Sequence, residues 1–390
     1  MDTEAERGWK KIKWAQAHMP LNGEISSRFK REQPFAEHRV GAALHLEAKT
    51  ANLILTLRAG GAEVYVIGSN PLSTQDEIVA ALSQAEGITV SACHGETSQE
   101  HEEKIDRLLD FSPTLIVEDG GDVVVRLHER GSWPTPGPIG VSEETTTGVE
   151  RLRKLAKQQR LRLPAIAVND AQMKHLFDNR YGTGQSTWDA IMRATNLLIA
   201  GKTVLIVGFG WCGKGLALRA HGLGARVLVA ELDPVKGVEA AMEGYEAVSL
   251  SGGMEQADFV VTATGQAGVI GEAELSCSKD GVILANAGHF GYEIDKNALA
   301  HLAKEQREAR DGVEAYVLPD GRTVYLLGKG ELVNLALADG HPVEIMDISF
   351  ALQSLSLEYI THQGSNLSAQ VYPVPAEIDQ QVARMVLSTI

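Results

Sequence analysis

Cysteine is scarce in this chain of 390 residues. The three that occur, Cys93, Cys212 and Cys277, are scattered without metal-ligand spacing. That argues against a disulfide framework, offers no metal site and points to a reducing compartment. Long apolar runs are missing too. No stretch approaches the roughly eighteen residues of a membrane span, and the start, MDTEAERGWKKIKWAQ, lacks the apolar centre of a signal peptide. Basic residues are outnumbered, 36 against 51 acidic, and the net charge of −15 argues against nucleic acid and anionic membrane as partners. There are no repeats or low-complexity tracts, and residues 131–137 (GSWPTPG) form the one turn-rich break. A cytoplasmic, soluble protein is expected, with chain enough for two domains or for one large domain carrying an insertion.

What is present is organised around residues 201–231, GKTVLIVGFGWCGKGLALRAHGLGARVLVAE. An apolar run over 203–207 meets Gly208, Gly210 and Gly213, a helical pattern follows, and a second apolar run ends in Glu231. This strand, glycine turn, helix and strand is the frame of a dinucleotide site. Gly208 permits the turn, Gly210 admits the pyrophosphate and Gly213 lets the helix pack on the strand, with Trp211 and Cys212 between them. The helix N-terminus offers N–H groups to phosphate. Glu231 suits the adenosine ribose hydroxyls and disfavours a 2′-phosphate, so NAD is expected. Lys236 could reach a 2′-phosphate, or be a solvated helix residue.

Around this stretch, strands alternate with helical patterns, which predicts an α/β protein of two doubly wound parallel-sheet, Rossmann-like domains. Strands are expected over 40–44, 63–67, 88–92, 114–117, 139–141 and 165–168, and His45, Asp119, Glu144 and Asn169-Asp170 each follow one of them. Open parallel sheets bind ligands at that edge. A helix is expected over 171–180. It would carry Lys174 and Asp178 on one face, a spacing that an ordinary surface ion pair also satisfies. A second helix over 183–200 feeds the glycine turn, and another over 343–359 leads back to the first domain. The expected division is a substrate-binding domain over 1–180, the NAD-binding domain over 181–342, a return helix within 343–375 and a short tail over 376–390.

These segments resemble the S-adenosylhomocysteine hydrolase (adenosylhomocysteinase) family over nearly the whole chain. The matching motifs are Leu44-His45-Leu46, Ser73-Thr-Gln-Asp76, Glu118-Asp-Gly-Gly-Asp122, Ser142-Glu-Glu-Thr-Thr-Thr-Gly148, Val168-Asn-Asp170 and Phe177-Asp-Asn179. They continue through Ala240-Ala-Met-Glu-Gly-Tyr245, Gly288-His-Phe290, Leu332-Val-Asn334 and Gly340-His-Pro342. The resemblance implies bound NAD, oxidation of a nucleoside 3′-hydroxyl, elimination of the 5′ thiol, water addition and re-reduction. It assigns the 3′-hydroxyl proton to Lys174 with Asp178 beside it, and the ribose hydroxyls to Glu144. Proton transfer near the 5′ position falls to His45, Asp119 and His289, groups suited to that work near neutral pH. Thr145, Thr146, Thr147, Asn179, Thr264 and Asn334 would hold the nicotinamide half. Thr50, His341 and Met346 would contact the substrate, and a homo-oligomer, dimer or tetramer, is implied.

Three departures stand out. His45-Leu-Glu47-Ala-Lys49-Thr50 resembles an archaeal and thermophilic branch, some of whose members are associated with S-inosylhomocysteine. Lys49 could donate to a 6-oxo group and Glu47 accept from N1–H; alternatively the two pair with each other and adenine binds. Thr183 stands where a cysteine is common. The chain's last residue is Ile390, whereas many members have a longer tail that reaches a neighbouring subunit's NAD, so looser NAD binding is expected. A nucleoside-tailoring dehydratase or epimerase using the same 3′-keto chemistry is the alternative reading.

Overall fold

The computed structural model describes residues 2–131, 133–289 and 291–389; Phe290 of the Gly288-His-Phe motif and one residue of the turn-rich break lie outside them. Contacts divide the chain into two compact units. The first comprises residues up to His175 together with those from Val343 onward, and the second is Leu176–Pro342.

The first unit holds a sheet of seven parallel strands. Six are β1 (Arg39–Leu44), β2 (Glu63–Gly68), β3 (Ile88–Ser91), β4 (Leu115–Glu118), β5 (Val141–Glu143) and β6 (Ala165–Ala167). The seventh, Val371–Pro373, lies outside β6, and the order runs inward through β6, β5, β4, β1 and β2 to β3. Covered on both faces, β4 is buried at every residue and β1 at all but one, as their near-continuous apolar sequences require. Helix Ser98–Asp110 begins with a reciprocal cap: Thr97 accepts from the Glu100 amide while Glu100 reaches back to the Thr97 amide.

Several elements differ from expectation because distant residues decide them. Strand β5 lies two residues later than the 139–141 run, in register with β4 so that Glu118 and Glu143 are neighbours. Helix Pro20–Glu32 has no side-chain cap of its own, and its first amides, Leu21 and Asn22, donate instead to Asp347 at 2.9 and 2.8 Å. The segment after β6 is not one α-helix: a turn over Gln172–Lys174 gives way to a π-helix over His175–Gly182, a form that recurs at functional sites. The residues after Val371 are also more than a tail. They add the seventh strand and helix Ala376–Thr389, whose Asp379 accepts from the Gln172 and Met173 amides at 3.1 and 3.0 Å.

The second unit holds β7 (Thr203–Val207), β8 (Arg226–Ala230), β9 (Glu246–Ala247), β10 (Phe259–Thr262), β11 (Ile283–Asn286), β12 (Glu305–Arg310), β13 (Val313–Val317) and β14 (Thr323–Leu327). Their order is β12-β13-β14-β11-β10-β7-β8-β9. Alternate residues of β7 serve opposite faces: Val204 and Ile206 join one core, Leu205 and Val207 the other. Strands β12 and β13 form an antiparallel hairpin at one edge that the parallel expectation did not include. The outermost strand, EQREAR, is exposed throughout and its charges blunt the edge. Helix Thr183–Thr195 stops short of residue 200 because Asn196 turns left-handed, at φ 54°.

Candidate functional site

In the first sheet the strand order reverses at β1, which has β2 on one side and β4 on the other. His45 follows β1 and Asp119 follows β4, so the fold brings both to the switch point where open sheets bind ligands. His45 Nε2 lies 3.5 Å from Asp119 Oδ2. Its Nδ1 is 2.7 Å from Ser73 Oγ, and that hydroxyl donates to the Asn70 carbonyl at 2.9 Å. With its proton spent on Asn70, Ser73 accepts from His45, which places the ring proton on Nδ1 and leaves Nε2 to exchange a proton on the Asp119 side.

Glu144 is buried just past β5. Gln353, on helix Val343–Gln363, donates to its Oε2 at 2.6 Å, and Lys174 Nζ stands 3.4 Å from its Oε1. Lys174 is only 4% exposed, so it is no surface ion pair. Thr145 caps the next helix through the Gly148 amide, Thr146 donates to Asn169, and Thr147 lies half-buried in that helix's first turn. Asn169 in turn donates to Asp170, which pairs with Arg153.

Glu47 caps helix Ala48–Ala59. Its oxygens accept from the Lys49 and Thr50 amides at 2.9 and 3.1 Å, and Lys49 Nζ pairs with it at 2.9 Å. Glu47 and Lys49 therefore bind each other, and Thr50 also donates to the His45 carbonyl at 2.6 Å.

Two carboxyls that sequence reasoning passed over lie beneath this edge. Glu118 ends β4 and accepts from the Val123 and Val124 amides at the start of helix Asp122–Glu129. Burial, reinforced by Asp122, pushes it up to about 8. Glu143 ends β5 with 0% exposure. Burial and then the charges of Glu118 and Asp119 hold it well above the usual carboxylate range. The doublet Glu143-Glu144 gave a signal for one acid at this edge; only strand register tells which faces inward.

In the second unit the sheet reverses at β7, between β8 and β10. Gly208 follows β7 with φ +94°, and a Cβ there would stand 2.8 Å from the Ala263 carbonyl. Gly210 begins helix Trp211–Gly222 with nothing within 4 Å of where a Cβ would be, a bare backbone face open to a ligand. A Cβ on Gly213 would collide with the Gly208 carbonyl. Both Glu231 oxygens are engaged by the turn, through the Phe209 amide at 2.6 Å and the Leu232 and Asp233 amides. These take three of the roughly four acceptor sites of a carboxylate and leave one for a hydroxyl. Lys236 is exposed.

Trp211 is partly exposed and Cys212 half-buried, its sulfur 3.7 Å from the Thr183 hydroxyl. His341 joins Thr183 at 3.3 Å and Asp178 at 3.3 Å through its two ring nitrogens. Thr264 donates to the buried Glu293, another residue not foreseen, by its amide and its hydroxyl. Asn334 donates to Ser186 at 2.9 Å, Asn179 is buried, and His289 is half-buried after β11. Met346 is half-buried in the first turn of helix Val343–Gln363 of the first unit.

Comparison with known proteins agrees with this arrangement. Residues 2–135 match the S-adenosyl-L-homocysteine hydrolase family, and residues 179–340 match the S-adenosyl-L-homocysteine hydrolase NAD binding domain. The adenosylhomocysteinase of Thermotoga maritima is 51% identical over 98% of this chain and 95% of its own length. The S-inosyl-L-homocysteine hydrolase of Methanopyrus kandleri is 51% identical over 99% and 91%. The adenosylhomocysteinase of Pyrococcus abyssi is 52% identical over 99% and 91%. The chain belongs to the S-adenosyl-L-homocysteine hydrolase family: it is a hydrolase with NAD as cofactor, and its second unit carries the NAD binding domain. Relatives named as hydrolases lend nothing to the dehydratase or epimerase alternative.

Proposed function

We propose that the protein cleaves S-adenosylhomocysteine or S-inosylhomocysteine to the nucleoside and homocysteine by 3′-oxidation, elimination of the 5′ thiol, water addition and re-reduction. The observation that carries this reading is the buried Lys174–Glu144–Gln353 chain standing on the same sheet edge as His45 and Asp119. The NAD binding domain fits its cofactor, for Gly208 makes the tight turn, Gly210 presents bare backbone at a helix N-terminus and Glu231 keeps one acceptor site. When bound, NAD supplies hydride acceptance at C3′ and returns the hydride at the end of the cycle.

The chain's own residues handle protons and orientation. Lys174 takes the 3′-hydroxyl proton, with Asp178 assigned to assist. Glu144, aimed by Gln353, accepts from the ribose hydroxyls. His45 Nε2 and Asp119 pass the proton that the departing sulfur needs and withdraw one from the incoming water, with His289 assigned to the same work. Gly208, Gly210, Trp211, Cys212 and Gly213 form the pyrophosphate turn. Thr145, Thr146, Thr147, Asn179, Thr264 and Asn334 are assigned to the nicotinamide half, and Thr50, His341 and Met346 to the substrate. Because Glu47 is occupied by its helix cap and by Lys49, the reading covers both purines, with Lys49 of this pair carrying the donors that a 6-oxo group needs.

Thiol release from the two thioethers, assayed side by side with NAD-loaded protein, tests this. Release is expected from at least one and should vanish in K174A; no thiol from either would end the hydrolase reading for these substrates. A homo-oligomer, dimer or tetramer, belongs to the same proposal. It is supported by Leu232, Val235, Val238 and Met242, a stripe of exposed apolar side chains on and beside helix Pro234–Met242. A cytoplasmic location is likewise part of it, in keeping with three cysteines that form no disulfide among the described residues.

A further inference from the structure

The buried acid that the proposed chemistry does not use is Glu143. Its Oε1 accepts three hydrogen bonds, each at 2.9 Å, from the Gly120 amide, the Thr145 amide and the Thr145 hydroxyl. Gly120 directly follows Asp119, and Thr145 directly follows Glu144. One carboxyl group thus ties the loop after β4 to the loop after β5. The space for it is built in, because a Cβ on Gly148 would overlap the Glu143 carboxyl group. Its other oxygen, Oε2, is fully enclosed and has no hydrogen-bond partner among the described residues.

We propose that Glu143 is a positioning residue for the hydrolysis, an uncharged brace that joins the backbone beside Asp119 to the backbone beside Glu144. It deepens the function proposed above and rests on the roles given there to Asp119 and Glu144. The charge state follows from the neighbours. Glu118 is its register partner on β4, Asp119 follows Glu118, and Asp122 begins the next helix. Arg151 on helix Thr146–Lys157 is committed to Asp122 at 2.5 Å and to the Gly120 carbonyl at 2.7 Å, and Lys174 to Glu144 at 3.4 Å. Adjacent buried carboxyls do not readily ionise together. A neutral Glu143 keeps its acceptor bonds and adds no negative charge beside Asp119. An ionised one would raise the proton affinity of Asp119 and hold it in the acid form when it must act as base. Removing the brace would loosen the spacing of the two acids.

Three variants and two readouts independent of turnover test the brace. Glu143→Gln keeps the accepting oxygen and cannot ionise; Glu143→Ala removes the tie. Infrared difference spectra at pH 7 should show a protonated carboxyl band in the wild type that is lost in E143Q. Hydrogen exchange at the Gly120 and Thr145 amides should quicken in E143A and stay slow in E143Q. In turnover, E143Q should stay within about threefold of wild-type kcat at pH 7 while E143A falls by about 100-fold, as an ångström of misplacement does. The activity of E143Q should also extend further into the alkaline range, which a merely structural residue would not alter. An infrared band unchanged in E143Q, or a loss beyond about tenfold in a folded E143Q, would overturn the proposal. If E143A does not fold, E143Q decides it. Wild-type protein that releases no thiol would sink the function reading instead, with infrared and exchange data still deciding the brace. The third variant, Glu143→Asp, should give the intermediate case, its shorter arm reaching one loop only.

Discussion

The two sheets share a strand order and differ in what they place at its turning point. In the first unit β3-β2-β1-β4-β5-β6 reverses between β1 and β4; in the second β9-β8-β7-β10-β11-β14 reverses between β7 and β10. At the first, side chains do the chemistry: His45, Asp119 and Glu144 converge, buried or half-buried, with Glu143 bracing the loops that carry two of them. At the second, glycines stand in place of side chains: Gly208 and Gly213 let turn and helix pack closely, and Gly210 leaves backbone bare at the helix N-terminus. The topology supplies a crevice in both cases, and residue choice decides whether it handles protons or cradles an anion. That difference also determines how each site fails.

The largest effect is expected from Gly213→Val, which would drive a side chain into the Gly208 carbonyl. Overpacking of about 3 kcal/mol should lower NAD affinity by about 100-fold, with amide exchange in the first unit unchanged. Stoichiometric NAD in the purified variant would break the contrast between the two crevices. Next, Asp119→Asn should reduce kcat by up to about 100-fold while NAD content stays normal, since its effect belongs to the side-chain crevice alone. Lost NAD in D119N would show that the two sites cannot be separated by mutation.

A smaller, pH-dependent effect concerns Glu118. Its folded value of about 8 stands above the usual 4.5. Between these limits the unfolded chain binds fewer protons than the native one, so this group removes stability as pH rises through that window. Glu118→Gln should therefore be more stable than wild type at pH 8 by on the order of 1–3 kcal/mol, and close to it near pH 4. Urea unfolding at the two pH values measures this, and equal differences at both would contradict the neutral state. The smallest effect is expected of Lys236→Ala. The residue is exposed, and NAD over NADP preference should move by less than about twofold, whereas Glu231→Ala should admit NADP. A reversed ranking in a cofactor titration would move the selectivity from Glu231 to Lys236.

How far each region was legible follows from the range over which its information is written. The glycine turn was readable because turn, helix start and acid lie within one strand–helix–strand unit. The alternating runs likewise placed most strands to within two residues. The acids of the first unit were only half legible. An apolar run at 139–141 suggested a strand ending before the Glu143-Glu144 pair, but pairing with β4 draws Glu143 into the strand and turns it inward. Lys174 and Asp178 read as one α-helical face, yet a π-helix begins directly after Lys174, Glu144 stands beside the lysine, and His341 pairs with the aspartate. Helix Pro20–Glu32 and the turn that presents Lys174 take their caps from Asp347 and Asp379, on helices far along the chain.

By itself the sequence determined the alternation of strands and helices, the backbone-lined cofactor turn and the set of groups able to move protons, because each depends on residues a few positions apart. Which carboxyl lies beneath the site, which one keeps its proton and which distant aspartate starts the helix before Lys174 were decided only by the tertiary structure. Desolvation and hydrogen-bond partnership depend on what packs against a group in space, and here that packing joins residues more than 200 positions apart, as between Glu144 and Gln353.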